Sequence, residues 1–148
     1  SLDELVAEAT QFLSHEFRLH NIKVTHIPPA GATLVNVDRI QLQQVIVNLA
    51  VNAVQAISTS ASMRREVRIK TTEEGALVRC SVEDSGPGIP TESVDRIFQS
   101  FVTTKDNGMG MGLPISRSII EAHEGRLIAD NDSSLGGARF SFVLPMAR

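Results

Sequence analysis

A row of amide side chains follows one stretch of the sequence at helical spacing. Gln41, Gln44, Asn48, Asn52 and Gln55 are three or four residues apart, which places them on one face of a predicted helix. The residues between them are mostly apolar, which is typical of a buried helix. The row either faces water or forms the polar floor of an apolar pocket. In the second case its carboxamide oxygens suit Mg²⁺, which takes few protein ligands beside substrate phosphates.

An aspartate, Asp84, ends the alternating row of a predicted strand over 76–83. Its neighbours on the same face are apolar: Val78, Cys80 and Val82. A carboxylate buried at a strand end costs several kcal/mol unless it accepts hydrogen bonds, and the amino group of a ligand could donate one. Gly86 and Gly88 follow at once and allow positive φ and close backbone approach. Alternatively, the Asp-Ser-Gly sequence forms an ordinary solvated turn.

A polar, glycine-rich stretch over residues 103–112 leads directly into a predicted helix. The free N–H groups and the dipole at a helix N-terminus attract anions, and Lys105 adds a positive charge suited to phosphate. The spacing matches neither a P-loop nor the G-x-G-x-x-G fingerprint of dinucleotide-binding folds. The stretch is therefore either a phosphate-binding lid or a flexible linker.

Helices and antiparallel hairpins are predicted to carry these residues. Apolar periodicity and capping signals predict helices over 2–18, 38–57 and 113–123, with a shorter one over 91–98. Alternation predicts strands over 22–27, 34–37, 66–72, 76–83, 126–129 and 138–144. This order predicts an α+β fold: a two-layer sandwich of a mostly antiparallel mixed sheet on helices.

Composition limits the class of protein. The chain has 148 residues and a net charge of −3, so we expect one domain over 1–148 without a basic surface for nucleic acid or anionic lipid. A single cysteine excludes an intramolecular disulfide and a multi-cysteine metal site, and Cys80 is predicted to be buried rather than reactive. No apolar run approaches the roughly 20 residues of a membrane span.

Four segments, in chain order, resemble the N, G1, F and G2 boxes of the catalytic ATP-binding domain of sensor histidine kinases. They are Gln44–Ala56, Asp84–Ile89, Phe98–Lys105 and Gly108–Leu113. This family belongs to the gyrase, Hsp90, histidine kinase and MutL superfamily, and the resemblance covers essentially the whole chain. The segments Phe101–Lys105 and Gly110–His123 are most similar to the oxygen- and nitrogen-sensing branch. The resemblance implies the Bergerat ATP-binding fold, with ATP and Mg²⁺ as cofactors.

The resemblance also implies roles for individual residues. Asn52 matches the residue that holds Mg²⁺ on the triphosphate, Asn48 supports the site one turn earlier, and Asp84 matches the acceptor for the adenine amino group. The adenine pocket would include Gly86, Gly88 and Ile89, and the lid and phosphate site would include Phe98, Phe101, Thr104, Lys105, Gly108, Gly110, Gly112 and Leu113. Gly136 and Gly137 resemble the last glycine box, with Ala138 where a hydroxyl residue often lies.

The amide side chain of Asn48 helps to distinguish phosphoryl transfer from ATP hydrolysis. Gyrase-like members carry a water-activating Glu at this position, whereas an amide cannot act as a general base. The resemblance therefore implies that Asn48 and Lys105 assist transfer of the γ-phosphoryl group to a histidine on a separate dimerisation domain, and then to a response regulator. An anti-sigma-factor-type Ser/Thr kinase and a non-catalytic nucleotide-binding module are the alternatives. We expect a cytoplasmic location and no direct contact with nucleic acid or membrane.

The histidines of this chain do not supply the phosphoacceptor. The segment around His15 resembles an acceptor motif superficially, but His20 occupies the position of the motif's proline. His15 also lies opposite the apolar arc of its helix and is predicted to be exposed. His20, His26 and His123 are predicted to be ordinary surface residues.

Overall fold

A computed structural model describes residues 1–29, 31, 33–58, 64–89 and 112–147. Within these residues, helices alternate with the strands of one five-stranded sheet. In chain order the elements are α1 (Leu2–Phe12), α2 (Ser14–Leu19), β1 (Lys23–Ile27), α3 (Arg39–Ser58), β2 (Glu66–Glu74), β3 (Leu77–Asp84), α4 (Gly112–Ala122), β4 (Arg126–Asp130) and β5 (Arg139–Pro145).

The sheet has the strand order β1-β2-β3-β5-β4. β1 runs parallel to β2, and all other neighbours are antiparallel. A hairpin joins β2 to β3 through Gly75, whose φ of 66° lies in the left-handed region that glycine adopts without strain. Since β3 is the middle strand, the residue at its end is supported from both sides. The predicted mixed, mostly antiparallel sandwich is confirmed.

One face of the sheet and the helices that cover it share a single apolar core. Ile69, Val82 and Phe140 are cross-strand neighbours on β2, β3 and β5, and all three are buried against the helices. Cys80 lies in this core with no exposed surface, and burial raises the pKa of its thiol to about 12. The predicted burial of Cys80 is therefore confirmed.

The longest helix, α3, lies at the centre of this core. Asp38 caps its first turn, because its Oδ1 accepts a hydrogen bond from the Gln41 N–H at 3.0 Å. Its buried side chains are Leu42, Val45, Ile46, Leu49, Ala50, Ala53, Val54 and Ile57. By length and composition α3 could also cross a membrane. Its packing against the sheet and the other helices gives a sufficient reason for its apolar sequence.

The N-terminal segment is not the single helix predicted over 2–18. Leu13, with φ −94° and ψ 6°, separates α1 from α2. Leu13 itself is buried, as are Ala9 before the break and Phe17 after it, so core packing is maintained across the break. The prediction of an exposed His15 is confirmed.

The strand predicted over 34–37 forms only one antiparallel bridge, between Val35 and Met146. The Leu34 carbonyl accepts the Ala147 N–H as part of this bridge, whereas the Thr33 carbonyl, one residue earlier, accepts from the Leu2 N–H of α1. These bonds hold the segment against α1 and the C-terminal end, and a longer strand does not form. The helix predicted over 91–98 lies outside the described residues.

Three histidines that were predicted to be ordinary surface residues join separate elements. His26 Nε2 lies 2.9 Å from Asp3 Oδ1, and His20 Nδ1 lies 3.1 Å from Ser58 Oγ. His123 Nδ1 donates to the Ile119 carbonyl at 2.8 Å, while its Nε2 accepts the Asp38 N–H at 3.1 Å. The His123 ring thus ties the end of α4 to the start of α3, and the two helices run antiparallel.

The other face of the sheet is polar. The Ser81 and Ser141 hydroxyls lie 2.9 Å apart beside a groove of about 540 Å³. Arg139 makes two hydrogen bonds to Asp130, at 3.0 and 2.9 Å. Partial burial raises the pKa of Asp130, but the Arg139 guanidinium and the Asp132 N–H outweigh burial and hold that pKa below its usual value.

Candidate nucleotide-binding site

The end of β3 places a buried carboxylate at the edge of the core. Asp84 is 1% exposed, and its Oδ1 accepts hydrogen bonds from the N–H groups of Gly86 at 2.9 Å and Ala138 at 3.2 Å. Its own backbone N–H donates to the Ala138 carbonyl, and its carbonyl accepts from the Gly137 N–H and the Ser133 hydroxyl. The buried position that the strand alternation predicted is confirmed, and Asp84 is held in one orientation.

Glycine at position 137 allows the loop between β4 and β5 to reach Asp84. A Cβ added to Gly137 would lie 2.3 Å from Asp84 Oδ1, 2.6 Å from its carbonyl oxygen and 2.8 Å from the Gly86 nitrogen. No side chain fits there without moving the carboxylate. Ala138 contributes its backbone N–H and carbonyl to the same contact, so its lack of a hydroxyl leaves these bonds intact.

The turn after Asp84 passes between α3 and the loop after β4. A Cβ on Gly86 would lie 3.3 Å from the backbone carbonyl of Ala56 on α3. Gly88 has φ 86°, and Ile89 at the end of the turn is only 8% exposed. The turn therefore needs glycine twice, once for a close approach and once for a left-handed conformation.

The amide row on α3 changes environment along the helix. Gln41 and Gln44 are exposed, whereas Asn48, Asn52 and Gln55 are half-buried. Ala56, one turn beyond Asn52, contacts the turn that follows Asp84. Neither of the two predicted environments holds for the whole row, because its first residues are exposed and the end of α3 approaches the turn after Asp84.

Helix α4 begins beside the same part of α3. Asn48 Nδ2 donates to the hydroxyl of Ser116 at 3.2 Å, and Ser116 is fully buried one turn into α4. Leu113, at the start of α4, is also buried. The start of α4, which begins at Gly112, thus lies close to Asn48. This arrangement gives an anion the positive end of a helix dipole.

Several residues named by the sequence lie outside the described part of the chain. They are Phe98, Phe101, Thr104, Lys105, Gly108 and Gly110. The structure brings together Asp84, Gly86, Gly88 and Ile89 at one side of the site, and Asn48 and Leu113 at the α3–α4 contact.

The donor set fits Mg²⁺ held mainly by a nucleotide. Among the described residues, no cluster of three or more His, Cys, Asp or Glu side chains could hold a metal ion. Asn48 and Asn52 are half-buried, and their amide oxygens are hard ligands; Mg²⁺ commonly uses one or two protein ligands with substrate phosphates and water. The chemistry of the residues present therefore fits the group that the resemblance implies.

Three contributors to the site were missed in the sequence. Ser116 bonds Asn48, Ser133 bonds the Asp84 carbonyl, and Asn131 bonds both backbone groups of Ile89. All three act on residues that are distant in the chain. No local pattern marks them, except that Asn131 and Ser133 lie in a segment predicted only as a turn.

Comparisons with known proteins agree with this geometry. A model of the histidine kinase-, DNA gyrase B- and HSP90-like ATPase family matches residues 37–148. The sensor protein FixL of Bradyrhizobium diazoefficiens is 44% identical over 148 residues, which cover 99% of this chain and 29% of FixL. The chain thus spans less than a third of the length of that relative.

Solved structures of histidine kinases have the same fold. The catalytic domain of histidine kinase ThkA superposes with a TM-score of 0.83 at 34% identity, covering 98% of this chain and 92% of that domain. ThkA in complex with the response regulator TrrA gives 0.82 at 32% identity, over 99% and 41% of the two chains. Full-length ShkA in complex with AMPPNP gives 0.84 at 27% identity, over 99% and 30%. The chain belongs to the histidine kinase-, DNA gyrase B- and HSP90-like ATPase family.

Proposed function

We propose that this chain is the catalytic ATP-binding domain of a two-component sensor histidine kinase. It binds ATP with Mg²⁺ and transfers the γ-phosphoryl group to a histidine on a dimerisation domain, from which a response regulator takes it. The observation that carries the proposal is the buried carboxylate of Asp84, held by two backbone N–H groups against a glycine-lined turn. The complexes of ShkA with AMPPNP and of ThkA with a response regulator support the ligand and the partner.

Each part of the nucleotide has a suitable group. The carboxylate of Asp84 accepts the adenine amino hydrogen, and Ile89 supplies an apolar wall. Asn52, supported by Asn48, offers its amide oxygen to Mg²⁺, which when bound neutralises phosphate charge. We assign phosphate binding to Thr104, Lys105 and the backbone N–H groups of Gly108, Gly110 and Gly112, and we assign anchoring of the lid to Phe101.

The amide at Asn48 favours phosphoryl transfer over ATP hydrolysis. An amide has no proton-accepting site at neutral pH, so it cannot activate water as a carboxylate would. The catalytic contribution of Asn48 and Lys105 is then positioning and charge stabilisation at the γ-phosphate. The relatives are sensor kinases, which favours a histidine acceptor over a Ser/Thr kinase or a non-catalytic module. We place this activity in the cytoplasm, where ATP is available.

Calorimetric titration with AMPPNP tests the nucleotide site. Asp84→Asn retains Oδ1 for the two backbone N–H groups but replaces the second oxygen with an amide that repels the adenine amino group. Since a hydrogen bond to a charged group contributes about 1.5–3 kcal/mol, we expect at least about tenfold weaker binding with little loss of stability. Unchanged affinity would refute the assignment of Asp84.

The metal assignment needs a separate pair of variants. We expect Asn52→Ala to weaken AMPPNP binding more in Mg²⁺ than in EDTA. Gln44→Ala, an exposed amide in the same row, is the matched control and should bind like the wild type. An equal loss in Mg²⁺ and EDTA would remove Asn52 from the metal site. Transfer of labelled phosphate to an isolated dimerisation domain then tests the reaction itself.

A further inference from the structure

One side chain outside the motifs holds the turn that forms the nucleoside side of the site. Asn131 directly follows β4, and its Oδ1 accepts the Ile89 N–H at 2.8 Å while its Nδ2 donates to the Ile89 carbonyl at 2.9 Å. A single carboxamide therefore satisfies both backbone groups of Ile89, as a neighbouring β-strand would. The two residues are separated by 42 positions in the sequence.

The turn after β3 is held at both ends: Asp84 binds its start at Gly86, and Asn131 binds its end at Ile89. The Asp84 Oδ1 bond to the Gly86 N–H holds the first half of the turn. Between the two ends, Gly88 has φ 86°, and a Cβ there would lie 3.0 Å from Asn131 Oδ1. The amide of Asn131 thus packs directly on Gly88 while it binds Ile89.

We propose that Asn131 is a positioning residue for nucleotide binding. It acts through the backbone of Gly88 and Ile89 and fixes the apolar wall of the adenine pocket relative to the Asp84 carboxylate. Of the residues similar in size, only asparagine offers both an acceptor and a donor at this length, since aspartate lacks the donor and leucine lacks both. The inference rests on the proposed nucleotide site and extends it to the loop after β4.

Two variants and one control test this role. Asn131→Ala removes both bonds to Ile89, and Asn131→Asp retains the acceptor but places a carboxylate oxygen against the Ile89 carbonyl. Asn36→Ala is the control, because Asn36 is an exposed loop asparagine that is not among the residues assigned to the site. The measurements are calorimetric ADP affinity and amide hydrogen exchange of the ligand-free protein, with Val82 on β3 as the internal reference.

We expect Asn131→Ala to bind ADP about tenfold more weakly, which corresponds to about 1.4 kcal/mol. Exchange of the Ile89 amide should accelerate at least about tenfold, because its hydrogen bond is lost, while exchange of the Val82 amide stays unchanged. Asn131→Asp should keep part of the protection of the Ile89 amide and still lose ADP affinity. Asn36→Ala should match the wild type within about twofold.

Two results would overturn the role of Asn131. Wild-type ADP affinity in a variant with an unprotected Ile89 amide would show that the contact does not position the nucleotide. Equal acceleration of Ile89 and Val82 exchange would show that Asn131 acts through global stability. In both cases the wild type still binds ADP, so the proposed function survives. Absence of binding by the wild type would instead overturn the proposed function and this inference with it.

Discussion

Two adjacent glycines allow a controlled test of the contact that holds Asp84. In Gly137→Ala, the new Cβ would lie 2.3 Å from Asp84 Oδ1, whereas such contacts are essentially never below 3.0 Å. The carboxylate must then withdraw by at least 0.7 Å, the difference between these two distances. The Oδ1 bonds to Gly86 and Ala138, now 2.9 and 3.2 Å, would lengthen beyond hydrogen-bonding distance.

The expected loss follows from those bonds. Hydrogen bonds to a charged group contribute about 1.5–3 kcal/mol each, so the loss of both bonds should lower the free energy of unfolding by at least about 3 kcal/mol. A displaced carboxylate also loses its bond to the adenine amino group, which corresponds to a decrease in ADP affinity of about 10- to 150-fold. Urea unfolding and calorimetric titration of ADP measure the two quantities.

Gly136→Ala is the matched control. Gly136 has φ 91°, and a Cβ there would meet no atom within 4 Å. This variant strains the backbone by about 1 kcal/mol or more without touching Asp84. We expect a lower unfolding free energy with ADP affinity within about twofold of wild type. The reasoning is refuted if folded Gly137→Ala binds ADP like the wild type, or if both variants lose affinity equally.

Two further predictions use the titrating groups of the sheet. Asp130→Asn should lower the unfolding free energy by about 1 kcal/mol at pH 7. Because folding lowers the pKa of Asp130, the pair's contribution is present above the unfolded-state pKa of about 3.9 and disappears as the pH falls through the folded value. Urea unfolding curves of variant and wild type should converge on the acid side, and a constant difference would contradict the assignment. Cys80, with a pKa of about 12, should react with iodoacetamide at pH 8 at least about 100-fold more slowly in the native protein than in urea. Similar rates would show that the thiol is accessible.

Elements with strong local signals could be predicted to within one or two residues. The start of α3 follows from the capping residue Asp38, and the β2–β3 hairpin follows from Gly75. Gly125 follows the end of α4, but the left-handed residue there is Glu124, and Gly125 instead allows a close approach to the Val143 carbonyl on β5. The break at Leu13 and the single bridge at Val35 could not, because contacts with distant segments decide them. Local periodicity carries no information about such contacts.

In the candidate site, too, some features could be predicted from the local sequence, whereas others depend on contacts between distant segments. Strand alternation predicts that Asp84 lies on the buried face, since the side-chain period of a strand is fixed, but the same sequence also permits a solvated Asp-Ser-Gly turn. Nothing local showed that Asn131 binds Ile89, or that Ser116 bonds Asn48, because each pair joins segments brought together only by the sheet or by the antiparallel helices. The graded exposure of the amide row likewise depends on where α4 packs.

The parallel pairing of β1 with β2 has a consequence for how the chain folds. The β2–β3 hairpin closes through a short turn, whereas β1 and β2 are separated by the whole of α3. Closing that larger loop has a greater entropic cost, and contacts between distant segments form later on average. We therefore expect β2, β3 and α3 to assemble first, with β1 joining an already formed edge. A nascent chain would then acquire its N-terminal strand only after the hairpin downstream of it has been synthesised.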